Sequence, residues 1–300
     1  MKKIIALLLA LTMLGCMFVG CASSEANTDD TDYSTMTIEE LKPLLKTITD
    51  GKLTMVTSPD FAPYEFYALD AEGNATLAGF DIALGQYIAD YLGLELEIIP
   101  MDFNGTITEL GAGNADIGMA GYSPDPEREI AMDFSDIYYT GGQAFVCHAD
   151  NTASFTSLED ANKAEYQIGA QIASIQFELA ETHTPDADIV TLTKVTDIIA
   201  EVISGKLDGA FIEKVVAETY AKNYPELAVV LDVPYDQEGS VVGVNKSNPA
   251  LLAAVNLAIN AAIEDGSMAQ FVADANELSS GSTYEGLLGE DGEVPTETAE

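Results

Sequence analysis

Arg128 is the only arginine in a chain of 300 residues; the other eleven bases are lysines. It stands in Gly121-Tyr122-Ser123-Pro124-Asp125-Pro126-Glu127-Arg128, a proline-stiffened segment that follows the apolar run 116–120. A guanidinium is a planar fork of donors and the preferred clamp for a carboxylate. Two roles fit it: holding a carboxylate ligand, or a surface ion pair with Glu127 or Glu129, worth little. Glu213 closes a second apolar run, 207–212, where a helical pattern opens. A carboxylate placed there either receives an ammonium group or favours the positive end of the helix dipole. Gly169-Ala170-Gln171-Ile172-Ala173-Ser174-Ile175-Gln176 lies where a strand hands over to a helix. Backbone N–H groups at such a start suit an anion, and Ser174 suits an N-cap equally well. Phe61, in Ser58-Pro59-Asp60-Phe61-Ala62-Pro63-Tyr64, is an aromatic on a loop stiffened by two prolines, and Phe103, beside Asp102, follows another strand-like run. In open α/β sheets ligands bind beyond the carboxyl ends of strands. Either ring is also suited to packing over a sheet edge.

Other chemistries find no support. His148 and His183 are the only histidines and stand far apart, without metal-ligand spacing. There is no G-x-S-x-G, no P-loop and no G-x-G-x-x-G. The residues therefore point to binding, with no catalytic group, metal or cofactor expected. Ser58, Phe61, Phe103, Tyr122, Gln171 and Gln176 are polar or aromatic. They suit a polar or aromatic ligand without choosing one.

The elements that must carry these residues alternate. Residues 53–57 read as a buried strand, 70–74 as the turn of a hairpin, 81–92 as a helix stopped by Gly93, and 94–99 as a strand. This alternation predicts an α/β protein with a largely parallel sheet. An internal echo divides the chain. Residues 107–119 (Ile107…Gly113…Asp116…Met119) match 199–211 (Ile199…Gly205…Asp208…Phe211) in register. Each copy reads as helix, terminating glycine, aspartate, strand, which favours two similar lobes. Asn248-Pro249 opens a last helix over 250–263, broken by Asp265-Gly266-Ser267 and followed by a helix over 268–277.

Composition bounds the rest. With 47% hydrophobic residues the chain can bury one large or two medium cores. Twelve bases against fifty acids leave a net charge of −38. Such a surface repels nucleic acid and anionic lipid, so neither is an expected partner. Met1-Lys2-Lys3 and the apolar run 4–20 read as a secretory signal peptide. Cys21, followed by Ala22-Ser23-Ser24, fits a lipidation site; Cys16 is a weaker candidate because apolar residues still follow it. Cys147 is then left without a partner, so no disulfide framework is expected. Residues 22–36 and 281–300 are acidic, free of bases and expected to be disordered.

Gly79-Phe80-Asp81-Ile82-Ala83-Leu84, Asp116-Ile117-Gly118, Pro126-Glu127-Arg128 and Met132-Asp133-Phe134-Ser135 occur in an order that resembles the bacterial extracellular solute-binding proteins of the polar amino acid uptake family. The resemblance covers about residues 53–277. It implies a two-lobed, periplasmic-binding-protein-like α/β fold of type II, its lobes joined by two crossover strands. Lobe I would take 51–145 plus 240–278 and lobe II 146–239, between a signal peptide (1–20), a lipidated linker and lead-in (21–50) and a disordered acidic tail (279–300). It further implies an amino acid held between the lobes. Arg128 would grip the α-carboxylate, with Ala120, Gly121 and Ser123 offering backbone and hydroxyl groups. Phe61 would stack on the ligand side chain and Phe103 wall the pocket; Gln171, Ser174 and Ile175 would add carboxylate donors, and Glu213 would take the α-ammonium. Departures from the family pattern are Ala83, Ala120-Gly121 and Glu213, which stand where a second acid, hydroxyl residues and aspartate are more usual. The implied partner is the membrane permease of an ABC importer, with the protein a monomer anchored through Cys21 outside the cytoplasm. A dehydratase-like enzyme using Glu213 as general acid, or a ligand sensor, are the alternatives this scaffold offers.

Overall fold

The structure is a computed structural model that describes residues 31–69, 74–236 and 239–280. The expected signal peptide, Cys21, most of the acidic linker, the hairpin turn and the acidic tail lie outside the described residues.

The described residues build two five-stranded sheets of the same design. The first holds β1 (Lys52–Thr57), β5 (Glu95–Pro100), β6 (Ile117–Gly118), β7 (Met132–Tyr139) and β13 (Ser240–Asn245), in the order β5-β1-β6-β13-β7. The second holds β8 (Gln143–His148), β9 (Gln167–Gln171), β10 (Asp188–Leu192), β11 (Gly209–Glu213) and β12 (Leu227–Val233), in the order β10-β9-β11-β8-β12. In each, three parallel strands meet one antiparallel strand, β13 or β8, contributed after a crossing of the chain. A hairpin, β3 (Glu65–Leu69) with β4 (Ala75–Ala78), pairs with the short β2 (Asp60–Phe61) in a third, small sheet. This is the two-lobed α/β fold of type II that the motifs imply.

Burial follows strand position. β1 and β11 lie inside their sheets and are buried almost throughout, because helices cover both faces of a parallel sheet. The edge strands β5 and β10 are half-exposed. The covering helices are α1 (Phe80–Leu92), α2 (Phe103–Ala112), α3 (Ile175–His183), α4 (Val195–Ile203), α5 (Lys214–Asn223), α6 (Pro249–Glu264) and α7 (Ser267–Leu278). α6 buries Leu251, Ala254, Val255, Ala258, Ile259 and Ala262, an i, i+3, i+4 stripe that seats it on α1 and β7. Its start is set locally: Asn248 accepts from the Leu251 N–H at 3.3 Å, and Pro249 occupies the first turn.

The internal echo is structural. β6 and β11 occupy the same place in their sheets, and each is reached through a glycine in the left-handed region, Gly113 at φ +80° and Gly205 at φ +75°. The aspartate that follows does the same task twice. Asp116 exchanges two bonds with Thr54 of β1: its N–H donates to the Thr54 carbonyl at 3.0 Å and its carboxylate accepts the Thr54 N–H at 2.8 Å. Asp208 does so with Gln167 of β9, at 2.9 and 2.8 Å. A side chain thus extends the strand ladder by one rung just before the strand begins.

Some boundaries move. The strand expected over 116–120 is only two residues long by pairing with β13, although the Met119 N–H still donates to the Val56 carbonyl at 3.0 Å. The strand expected from 207 starts at Gly209, because the Leu207 N–H is held by the Glu201 carbonyl of the preceding helix at 3.1 Å. The first crossing falls at residues 140–142, before the expected lobe boundary at 145. All of β8 is hydrogen-bonded to β11 and β12. The chain returns between Val233 and Ser240. Among the described residues, no helix is long and apolar enough to cross a membrane.

Candidate functional site

The carboxyl ends of β1, β6, β9 and β11 face one cleft between the two sheets, so the loops that follow them converge there. Glu213, the last residue of β11, caps α5 by accepting the Val216 N–H on Oε2 at 3.0 Å. Its Oε1 turns to the crossing, accepting from the Gly142 N–H and the Tyr64 hydroxyl, both at 3.4 Å. The Tyr64 hydroxyl also lies 3.0 Å from Ser240 Oγ. Residue 141 must be glycine for this: a Cβ there would stand 2.3 Å from Glu213 Oε1. Burial pushes the Glu213 carboxyl up to about 7, against the opposing pull of the backbone N–H groups it accepts. Tyr64, Gly121, Ser123, Gln143, Glu213, Tyr235 and Ser240 bound a small pocket of about 10 Å³.

Arg128 stands at the lip. It is 8% exposed, and its guanidinium lies 5.5 Å from the centre of the Phe103 ring, a cation–π arrangement. Nη1 donates to the Ser123 carbonyl at 3.4 Å and Nη2 crosses to the Ala173 carbonyl of the second lobe at 2.9 Å. Its donors point into the cleft rather than to Glu127 or Glu129. The Asp125 carboxylate accepts the backbone N–H groups of Glu127 and Arg128 at 2.8 and 2.9 Å, which shapes the turn that aims the side chain. Ala173 holds φ +62°, the one left-handed non-glycine among the described residues. That conformation is disfavoured for a residue with a Cβ, and here it presents the carbonyl that Arg128 uses.

The other expected residues divide into three groups. Gly121 and Ser123 line the cavity with Glu213. The Gly121 N–H is fixed from below by Asp81 Oδ2 at 3.1 Å, and the Phe61 ring packs against the Gly121 backbone, 2.7 Å from where a Cβ would stand. Ala120, Phe61 and Phe103 are buried, Ala120 and Phe103 in one apolar cluster with Tyr122 and Phe61 in the larger core beside Tyr64. A second group reaches the cleft with its polar atoms already engaged. Ser58 Oγ donates to Asp60 Oδ1 at 2.7 Å. Ser174 Oγ donates to the Gln171 carbonyl at 2.7 Å and accepts the Phe177 N–H at 3.2 Å, so it serves as the N-cap of α3. Gln171 Nε2 donates to the Thr193 carbonyl at 3.0 Å and to Asp60 Oδ2 at 3.4 Å. Ile175 opens α3 and faces a side groove with Asp125, Glu178 and Tyr235. Gln176 Nε2 donates to Gln143 Oε1 at 2.9 Å.

Tyr122 is not brought to the cleft. It is fully buried beneath the first sheet, its hydroxyl donating to Thr106 Oγ1 at 2.6 Å and its ring edge-on to Phe103. Gly121 takes a left-handed conformation (φ +58°), and Tyr122 goes on beside β13, its carbonyl accepting the Val241 N–H at 2.9 Å while its ring packs in the core. Sequence reasoning missed Tyr64, Gln143, Tyr235 and Ser240. The last three lie on or beside the crossings, which no local periodicity marks. Tyr64 had a signal, its place three residues after Phe61 on the same stiffened loop.

The arrangement offers one guanidinium on the first lobe and one carboxylate on the second, with a small polar cavity at the carboxylate. Comparison with known proteins gives it a context. A family model described as bacterial extracellular solute-binding proteins, family 3, matches residues 53–274. The chain is 34% identical over 201 residues to an arginine-binding extracellular protein, ArtP, of Bacillus subtilis (strain 168), covering 66% of this chain and 75% of the relative. It is 31% identical over 202 residues to a membrane-bound lytic murein transglycosylase F of Salmonella paratyphi B, covering 66% of this chain but only 39% of that enzyme. Among solved structures, an amino acid ABC transporter substrate-binding protein, AbpA, of Streptococcus pneumoniae bound to L-arginine superposes with a TM-score of 0.74 at 31% identity, over 81% of this chain and 100% of the other.

Proposed function

The chain belongs to the bacterial extracellular solute-binding proteins of family 3, and from that premise we propose that it captures an amino acid by hinge closure and delivers it to an ABC importer. The observation that carries this reading is the division of charge between the lobes. Arg128, aimed by the first lobe, answers an α-carboxylate; Glu213, at the end of β11 in the second, answers an α-ammonium. A buried zwitterion needs both charges paired. An amino acid therefore joins the two lobes, and closure about residues 140–142 completes the site. Phe61 and Phe103 supply apolar walls for the side chain, while Gly121 and Ser123 supply polar groups beside the carboxylate. The relatives named for arginine make L-arginine the first cargo to test.

Export by the signal peptide 1–20 and lipidation of Cys21 would keep this monomeric trap at the outer face of the membrane, beside its permease. The acidic surface argues against nucleic acid as a further partner.

A second reading rests on Glu213 alone. A buried carboxyl held near neutrality suits a general acid, and a dehydratase-like reaction is the chemistry it would serve. Among the described residues, no second group of the cavity is arranged as its base, so binding without turnover is the stronger reading. Recovery of the amino acid unchanged after prolonged incubation separates the two.

The test is a thermal-shift screen of the twenty amino acids, since a solute that binds only the folded state raises the melting temperature. Calorimetry of wild type and Arg128→Ala with the best hit follows. Removing the guanidinium leaves a carboxylate unpaired in a closed site, which costs ~3 kcal/mol or more, over a hundredfold in affinity. Unchanged affinity in Arg128→Ala would remove Arg128 from the site.

A further inference from the structure

α4 lacks a cap of its own. Its N-cap position holds Lys194, whose side chain makes no capping bond and whose charge opposes the helix dipole. The missing acceptor comes from the other lobe. Asp60, on β2 of the first lobe, reaches across so that Oδ2 accepts the Val195 N–H at 2.6 Å and Gln171 Nε2 at 3.4 Å. Ser58 Oγ donates to Oδ1 at 2.7 Å and steadies the carboxylate from its own side. The Tyr220 hydroxyl of α5 donates to the Asp60 carbonyl at 3.3 Å, a second bond between the same two parts. Asp60 is 7% exposed; burial pushes its carboxyl up to about 6, against the pull of the three donors around it and of Lys194.

We propose that Asp60 is a positioning residue for closure: its carboxylate caps α4 only when the lobes are shut, so that this contact helps to retain the bound amino acid without touching it. Separating the lobes returns the first N–H of α4 to water and leaves the helix with a lysine at its cap. Closing them supplies the carboxylate that complements the dipole. Arg128 and Ala173 meet across the same cleft, but Arg128 is also a ligand group; Asp60 acts on the lobes alone. The proposal rests on the reading of the protein as a two-lobed amino acid trap.

The experiment is a double-mutant cycle on the full chain with Asp60→Ala and Val195→Pro. Proline removes only the donor: it is favoured at the first helical position, and Lys194 before it is already extended, as a residue preceding proline must be. L-arginine is the probe, with L-glutamine as the second. Each single variant is expected to raise Kd about tenfold, mainly through faster dissociation, and the double variant to add little beyond either one. Asp60→Asn, which keeps an acceptor, should recover part of the loss. Hydrogen exchange on the same proteins should show protection of the Val195 amide that rises with ligand in wild type and is lost in Asp60→Ala. Additive effects on affinity, or a variant that binds as wild type does, overturn the proposal. If wild type binds neither probe, the cargo reading fails first, and exchange in the ligand-free proteins still decides the contact: equal protection of Val195 in wild type and Asp60→Ala overturns it.

Discussion

Glu213 sits where two demands conflict. Burial raises its carboxyl to about 7, yet the proposed role, receiving an ammonium, needs the carboxylate. Binding must therefore release the proton whenever the pH lies below that value. Affinity for the cargo amino acid should fall by up to about tenfold for each pH unit below 7 and level off above it. Calorimetry in buffers of different ionisation enthalpy would detect the released proton, and Glu213→Gln should abolish the pH dependence while weakening binding throughout. A flat profile in wild type would place the ammonium elsewhere. The extra methylene of Glu over the more usual Asp has a local correlate in the close approach of Gly141, which leaves no room for a Cβ beside Oε1.

At the level of elements, the two aspartates that precede β6 and β11 differ in how much they hold. Asp116 is buried and its carboxylate accepts two N–H groups, from Thr54 and from Ile48 at 2.9 Å in the lead-in before β1. Asp208 is half-buried, and its carboxylate accepts the Gln167 N–H. Leaving a buried donor unmatched costs about 1–3 kcal/mol, against about 1 for an accessible one. Asp116→Ala should thus lower the unfolding free energy by about 3 kcal/mol and Asp208→Ala by about 1, as read from urea midpoints. Equal losses would mean that the symmetry of these two strand starts extends to their energetics. Both variants leave the cleft residues in place and test the scaffold alone.

Considered whole, the molecule buries acids in a chain that already carries a net charge of −38. Asp60 and Asp81 are held at about 6 and Glu213 at about 7, while Glu65 is held well above the usual carboxylate range. Neither oxygen of Glu65 meets an N–H or O–H donor, and its neighbour is Asp81, which accepts the Tyr138 hydroxyl at 2.7 Å and the Gly121 N–H at 3.1 Å. Burial and the neighbouring Asp81 favour the protonated form of Glu65, and the expectation is that it shares this proton with Asp81. All four groups bind protons more tightly folded than unfolded. Their contribution to stability is complete below about pH 4, near the ordinary carboxylate values, and is lost as the pH rises through 6 and 7. Wild type should melt several degrees lower at pH 8 than at pH 5. Glu65→Gln, whose amide still donates to Asp81, should lessen that fall; a steeper fall in the variant would refute the shared proton. Added salt should raise the melting temperature at pH 8 by screening the surface charge.

What the chain order alone determined is what depends on local periodicity and side-chain type: the βαβ alternation, the glycine-stopped helices, and the matching strand starts at Asp116 and Asp208, with Arg128 marked by its type as the candidate carboxylate clamp. Ala120, Gly121 and Ser123 were legible as neighbours of that clamp because they follow one strand. Tertiary structure decided which way each side chain leaves the backbone. Tyr122 packs in the core against Phe103 and Thr106, while Ser58 and Ser174 are engaged by neighbours two and three residues away, the N-cap role of Ser174 being one of the two the sequence offered. It alone brought Gln143, Tyr235 and Ser240 to the cavity, and Asp60 to α4, since these meetings join strands and loops as much as 176 residues apart. Such contacts are made by the packing of one lobe on another, and no spacing within either segment encodes them.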